Sequence, residues 1–130
     1  MPSNGPSALR AWLAVAVWMT VTVFLSTFPV EDLQPNVPDA DKIGHAAVYA
    51  VLGFLCAVAW HRQGSSQPAA AERSMALVLL YGGLMEFLQS HVGRDPSMAD
   101  WVADSVGALF GIGFWKAWRI VVESTAEQTG

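Results

Sequence analysis

The chain has 130 residues, a length that fits a single domain. Charged residues make up only 14% of it and hydrophobic residues 53%, whereas soluble domains carry roughly 25% charged residues. The formal net charge of −4 argues against a nucleic-acid partner, which would require a basic surface patch. This composition predicts a protein that is integrated into a lipid bilayer.

Four apolar segments predict four transmembrane helices, because each is close to the ~20 residues that cross the hydrocarbon core. In chain order they cover residues 9–28, 43–60, 74–90 and 101–122. We interpret the first as a retained helix, since Ser26 to Pro29 would make a poor signal-peptide cleavage site. Residues 64–71 are a small polar connector, and residues 123–130 are a polar C-terminal tail. We therefore expect one all-α membrane domain, a four-helix bundle spanning residues 1–130.

Basic residues predict the orientation of the bundle, because Lys and Arg accumulate on the cytoplasmic side. Five of them lie at the N-terminus, in the middle connector or near the C-terminal end, namely Arg10, Arg62, Arg73, Lys116 and Arg119. Only Lys42 and Arg94 lie in or beside the first and third loops. We therefore expect both termini in the cytoplasm and the first and third loops on the outer side.

Ionisable residues about one turn inside three of the predicted helices mark a candidate site. Residues three and four apart share one face of a helix. These faces carry Asp41, His45, Tyr49 and Gly53 on the second helix, Gly82, Glu86 and Gln89 on the third, and Asp100, Asp104, Gly107 and Gly111 on the fourth. Small residues on a membrane helix allow a neighbouring backbone to approach. We therefore expect an inward-facing polar site at the outer end of the bundle.

The predicted binding residues are Asp41, Lys42, His45, Glu86, Gln89, Arg94, Asp100 and Asp104. Three kinds of chemistry remain open for them. The basic groups favour an anion, and Arg94 offers a planar fork for carboxylate or phosphate. The carboxylates of Asp41, Glu86, Asp100 and Asp104 would suit magnesium or calcium. Glu86 and His45 are the candidates for acid–base catalysis, so whether the protein is an enzyme stays open. No cofactor other than a divalent cation is indicated.

A purely structural interpretation competes with all three. Buried pairs of opposite charge can stabilise one arrangement of helices without binding any ligand. Lys42 could pair with Asp41 or Asp39, and Arg94 could pair with Glu86 or Asp100. Because carboxylates outnumber cations in the predicted site, at least one acid would remain unmatched.

Several of these residues resemble a known family when they are taken in order. Their order is similar to the pattern of the VanZ-like family. The residues that match it are Asp41-Lys42-Ile43-Gly44-His45, then Glu86-Phe87-Leu88-Gln89, then Arg94, Ser97, Asp100 and Gly107. The resemblance covers roughly residues 9–118. It implies a small multi-helix protein of the bacterial cytoplasmic membrane. One residue departs from the pattern, because Asp104 stands where that family usually has Asn.

The family takes its name from a member that is associated with low-level resistance to the glycopeptide teicoplanin. The resemblance therefore implies a role in the cell envelope. Together with the polar site, it favours binding of an anionic lipid head group or a cell-wall precursor. The alternatives are metal-assisted or acid–base modification of such a molecule, and a bundle that the polar network merely stabilises.

Overall fold

A computed structural model describes residues 5–27, 40–93 and 95–130, and they form four α-helices. These are α1 (Pro6–Thr27), α2 (Ala40–Arg62), α3 (Gln67–His91) and α4 (Met98–Thr129). No strand occurs within these ranges. The prediction of an all-α, four-helix chain is confirmed.

α3 begins seven residues before the start predicted from hydropathy. Ser66 caps it, since its side-chain oxygen accepts a hydrogen bond from the backbone N–H of Ala69 at 3.4 Å. Pro68 lies in the first turn, where its missing N–H is not needed. Gly64 has a φ of 103°, a conformation that few other residues adopt. Most of the predicted connector is therefore the beginning of α3. The prediction missed this because these residues are small and polar.

α4 extends beyond the C-terminal boundary predicted for it. Ser97 caps its start by accepting a hydrogen bond from the backbone N–H of Asp100 at 3.2 Å. The helix then continues to Thr129, so the predicted polar tail is helical over almost its whole length. Arg119 forms an ion pair with Glu123 one turn later, and such pairs stabilise exposed helices.

The largest interface joins α2 and α4, which run parallel to each other. Gly107 lies against the backbone of Ala46, and Gly111 lies against that of Ala50. A Cβ added to Gly53 would lie 2.8 Å from the carbonyl oxygen of Ala108. The glycines expected to mark helix contact therefore do so, and they bring the two backbones together.

α1 and α3 complete the bundle around this pair. Trp12 in α1 donates a hydrogen bond to Gln63 just beyond α2, while Trp18 donates one to the carbonyl of Val48, so α1 and α2 are antiparallel. The hydroxyl of Tyr81 in α3 donates to the carbonyl of Met19 at 2.7 Å. The core between the helices contains mostly small and medium-sized side chains, including Leu52, Cys56, Ala59, Val78 and Ala108.

Three of the described helices, α1, α2 and α4, are long and apolar enough to cross a membrane. The sequence predicted four such spans. α3 is outside this set, and it carries polar residues near both ends, with Glu72 and Arg73 in its first half and Glu86, Gln89 and His91 in its last two turns. Large apolar side chains are exposed on the outside of the bundle, among them Leu13, Phe24, Leu80, Phe110 and Phe114.

Candidate functional site

His45 and Asp104 meet between α2 and α4, 59 residues apart in the chain. Nδ1 of His45 and Oδ1 of Asp104 are 2.9 Å apart, which is hydrogen-bonding distance. The Asp104 side chain is 2% exposed and that of His45 is 24% exposed. The carboxylate is therefore inside the bundle, and the imidazole lies between it and the surface.

The surroundings of Asp104 are formed by three helices. Tyr49, one turn after His45 on α2, is buried and its side chain interacts with the Asp104 carboxylate. The rings of His45 and Tyr49 are nearly parallel, with centroids 6.5 Å apart. On α3, a Cβ added to Gly82 would lie 3.4 Å from Oδ2 of Asp104. The closest approach of that Cβ would be to the Trp101 ring, 3.2 Å from its Cδ1, so the glycine leaves room for this ring beside the carboxylate.

Glu86 connects α3 to the beginning of α4. Its Oε2 accepts a hydrogen bond from the backbone N–H of Ser97 at 2.7 Å. Ser97 caps α4, so the Glu86 carboxylate lies at the positive end of that helix dipole. Glu86 was predicted to lie near His45 or to pair with Arg94. Its hydrogen-bond partner in the described part of the chain is a backbone group, which no pattern of side chains indicates. Pairing with Arg94 stays a prediction, because Arg94 lies outside the described residues.

The remaining predicted site residues differ in exposure. Gln89 is buried on α3, Lys42 and Asp100 are half-buried, and Asp41 is exposed. Arg94 lies outside the described residues. We call the region around His45, Glu86, Ser97 and Asp104 the polar end of the bundle. Its role in binding stays a prediction.

Metal coordination requires several ligands that converge on one point. Within residues 5–27, 40–93 and 95–130, no group of three or more His, Cys, Asp or Glu side chains could hold a metal ion. Asp104 instead bonds to His45, and Glu86 bonds to Ser97. A divalent cation at Asp41, Glu86, Asp100 and Asp104 stays a prediction.

Tyr49 and Ser97 are two residues of this region that the predicted site omitted. Tyr49 is the one that lies beside the buried carboxylate. It shares a helical face with His45, and that spacing was visible in the sequence. The contact of Tyr49 with Asp104 was not visible in the sequence. Helical spacing indicates the face on which a residue lies, but it does not indicate which residue of another helix packs against that face.

The opposite end of the bundle is built from aromatic rings and cations. The guanidinium carbon of Arg73 lies 5.2 Å from the ring centroid of Trp60, and Arg73 also donates a 2.8 Å hydrogen bond to Oγ of Ser65. The Trp12 and Trp60 rings pack edge to face, with centroids 4.9 Å apart. An open cleft of about 520 Å³ adjoins Trp60 and Arg73. We call this region, with Trp115, the basic end.

Comparison with known proteins gives one result for the whole bundle. The family model described as VanZ/LLP1 matches residues 11–120, a range that contains α2 and α3 completely and most of α1 and α4. No curated protein and no solved structure matches the chain.

Proposed function

Because the chain belongs to the VanZ/LLP1 family, we propose that it is a multi-pass protein of the bacterial cytoplasmic membrane whose polar end binds an anionic component of the cell envelope. The observation that carries this proposal is the 2.9 Å contact between His45 and Asp104. A carboxylate that engages Nδ1 fixes the orientation of the imidazole ring. The other ring nitrogen is then held in place for a ligand.

The arrangement of the helices supports a fourth membrane crossing. Because α2 and α4 are parallel, the chain must run from the C-terminal end of α2 back to the level at which α4 begins. α3 spans that distance. Its 25 residues are about 37 Å long at 1.5 Å per residue, which is enough to cross about 30 Å of hydrocarbon. Exposed apolar side chains around the bundle fit a lipid environment better than water.

Charge supports an outward-facing polar end. Arg10, Arg62 and Arg73 lie within two turns of the helix ends at the basic end. Lys116 and Arg119 lie in α4 just after Trp115, whose ring packs against that of His61 near the end of α2. Because basic residues tend to remain on the cytoplasmic side of a membrane, this distribution supports an outward-facing polar end. Trp60, Trp115 and Trp118 lie towards the basic end and Trp101 towards the polar end, as expected for aromatic side chains at the two interfaces.

Cysteine labelling tests this orientation. Cys56 is buried, which gives a low background for a maleimide that cannot cross the membrane. In intact cells, Ser97→Cys should react and Ser65→Cys should react only after the membrane is permeabilised. The reverse pattern would overturn the orientation.

The chemistry of the site favours an anion that carries phosphate or carboxylate. Lys42 is half-buried in the first turn of α2, three residues before His45. Arg94 precedes the α4 cap by three residues in the sequence. Hydrogen bonds to charged groups contribute about 1.5–3 kcal/mol each, so two or three such donors would give measurable affinity.

Binding can be measured with the protein in phosphatidylcholine nanodiscs. The probes are phosphatidylglycerol and undecaprenyl phosphate, which represent a lipid head group and a cell-wall carrier. We expect Lys42→Ala, His45→Ala and Arg94→Ala each to weaken binding about tenfold, since 1.4 kcal/mol corresponds to a factor of ten. Arg73→Ala at the basic end is the matched control. Equal affinity of wild type and all three variants would refute the proposal.

A second candidate function is acid–base modification of the same kind of molecule. The specific observation is again the Asp104–His45 pair, because a carboxylate that orients an imidazole is a common arrangement for a general base. Incubation with labelled phospholipid and carrier lipid, with and without magnesium, would reveal turnover. Loss of turnover in His45→Gln, with binding retained, would establish catalysis. Absence of turnover and of bound metal in purified protein would exclude it.

The structural alternative predicts a different result. Replacing both His45 and Asp104 with Leu removes the charges as a pair, which is often neutral for stability. If the double variant folds and still binds both probes, the pair only stabilises the bundle. If it folds and loses binding, the site has a functional role. Teicoplanin susceptibility of cells that express either form tests a link to resistance.

A further inference from the structure

The buried carboxylate at the polar end calls for more than one hydrogen-bond donor. Oδ1 of Asp104 is 2.9 Å from Nδ1 of His45, and the Asp104 side chain is almost fully buried, so water does little to solvate it. An ionised carboxylate can accept about four hydrogen bonds through its two oxygens. Burying such a group is costly unless protein donors replace the lost water. A second donor inside the bundle would therefore stabilise the carboxylate.

Two other donors of this region are committed to backbone carbonyls. The Trp101 ring lies beside the carboxylate, and its indole N–H donates to the carbonyl of Leu79 at 3.2 Å. The hydroxyl of Tyr81 on α3 donates to the carbonyl of Met19 on α1 at 2.7 Å. Each of these groups carries a single hydrogen, so neither is the second donor to Asp104.

Tyr49 differs from both, because its side chain interacts with the Asp104 carboxylate. It follows His45 by one turn of α2, and the two rings are nearly parallel, with centroids 6.5 Å apart. The Tyr81 ring also packs near it, at 6.1 Å between centroids. Since Tyr49 is buried among these neighbours, its hydroxyl is held at the carboxylate.

We propose that Tyr49 is a positioning residue of the polar end, whose hydroxyl donates the second hydrogen bond to Asp104 and thereby holds the carboxylate that orients His45. The terminal torsion of an Asp side chain is broad, so one hydrogen bond leaves the carboxylate free to turn and two donors from α2 fix it. This inference rests on the proposed function, because it explains what keeps the imidazole in one orientation for a ligand. Tyr49 acts through Asp104 and His45 and not by touching the ligand.

NMR of the full chain in nanodiscs, with ¹⁵N-labelled histidine, tests the positioning without any ligand. Tyr49→Phe removes only the hydroxyl. We expect one set of His45 nitrogen signals in the wild type, and two sets or exchange broadening in Tyr49→Phe. His61 and His91 are internal references, since their Nδ1 atoms lie 3.0 and 2.9 Å from backbone carbonyls. Tyr81→Phe is the matched control and should leave the His45 signals single. Identical His45 signals in folded Tyr49→Phe and wild type would overturn the proposal.

A second measurement decides the proposal even if Tyr49→Phe does not fold. The chain has two tyrosines, so labelling with ¹³Cζ-tyrosine gives two signals, which Tyr81→Phe assigns. The shift of this carbon reports the hydrogen bonding of the hydroxyl. Asp104→Asn weakens the acceptor and should move the Tyr49 signal while that of Tyr81 stays in place. An unmoved Tyr49 signal would overturn the proposal.

Lipid binding in the same nanodiscs separates this inference from the proposed function. Tyr49→Phe should bind phosphatidylglycerol about fivefold more weakly than the wild type, as expected for the loss of one hydrogen bond. In the His45→Ala background the same substitution should change the affinity by less than about twofold, because its effect passes through His45. A full additional loss in that background would contradict the positioning role. If the wild type binds no phosphatidylglycerol or undecaprenyl phosphate, the proposed function fails, and the two NMR comparisons decide the role of Tyr49.

Discussion

The two ends of the bundle place their charges in different surroundings. At the polar end a carboxylate is buried, since Asp104 is 2% exposed and hydrogen-bonds to His45. At the basic end the Arg73 side chain is exposed and lies over the face of Trp60. The first charge has lost its water and depends on its partners. The second retains much of its water and only gains a favourable contact.

This difference determines how sensitive each end should be to substitution. Removing one partner of a buried charged pair leaves the other partner desolvated without compensation. Removing an exposed cation allows water to replace it. The polar end should therefore tolerate few changes, and the basic end many. The glycine contacts between α2 and α4 lie between the two ends and hold both in register.

The largest loss of stability is expected when the close contact between the α2 and α4 backbones is disrupted. Gly111→Val should destabilise the bundle by more than about 4 kcal/mol, because its Cβ would overlap the backbone carbonyl of Ala50. Both ends should lose their structure together. Gly113→Val is the matched control, since nothing lies within 4 Å of a Cβ at that position. Unfolding by SDS in mixed micelles measures both variants. A similar stability of the two would show that the α2–α4 contact is loose.

The next effect concerns the buried pair itself. Asp104→Ala should cost about 3–5 kcal/mol of folding free energy, because His45 loses its partner and a cavity replaces the carboxylate. Asp104→Asn introduces the residue that the family pattern usually has, and its amide can still hydrogen-bond to Nδ1 of His45. We expect it to cost less than about 1.5 kcal/mol. Equal losses in the same micelle titration would contradict a role for the hydrogen bond.

The faces of the helices could be predicted from the sequence, but their partners could not. Spacing of three and four residues placed His45 on one face of α2 and Asp104 with Gly107 on one face of α4. It could not show that these faces oppose each other, because that depends on the parallel packing of α2 and α4. The start of α3 was missed for another reason. Ser66 and Pro68 signal a helix start through capping, whereas the prediction relied on apolar residues.

Glu86 shows a further limit of sequence-based reasoning. A carboxylate in an apolar segment predicts a charged partner, and Arg94 was the nearest candidate in the sequence. In the described part of the chain, Glu86 accepts a hydrogen bond from a backbone N–H at the start of α4. Its pairing with Arg94 stays a prediction, because Arg94 lies outside the described residues. Backbone groups are identical at every residue, so only the three-dimensional arrangement reveals such a contact.

A smaller effect is expected at this contact. Glu86→Ala should cost about 1–3 kcal/mol, because the N–H of Ser97 loses its acceptor at the start of α4. Glu86→Gln retains a carbonyl oxygen that can accept the same hydrogen bond. Its loss of stability should therefore be only a few tenths of the loss caused by Glu86→Ala. Hydrogen exchange of the amides at residues 97–101 provides a local measurement. Exchange should accelerate in the Ala variant and remain slow in the Gln variant. Equal acceleration would mean that the charge, rather than the hydrogen bond, stabilises the end of the helix.

The smallest effect is expected at the basic end. Arg73→Ala should cost about 0.5–1 kcal/mol, the usual contribution of an exposed cation over an aromatic ring. Arg73→Lys retains the charge and loses the planar stacking and the bond to Ser65, so it should fall between the Ala variant and the wild type. Unfolding in the same micelles measures the stability of the wild type and both variants. A loss as large as that of Asp104→Ala would contradict the difference between the two ends. It would show that the Arg73 charge is as dependent on its partners as the buried carboxylate is.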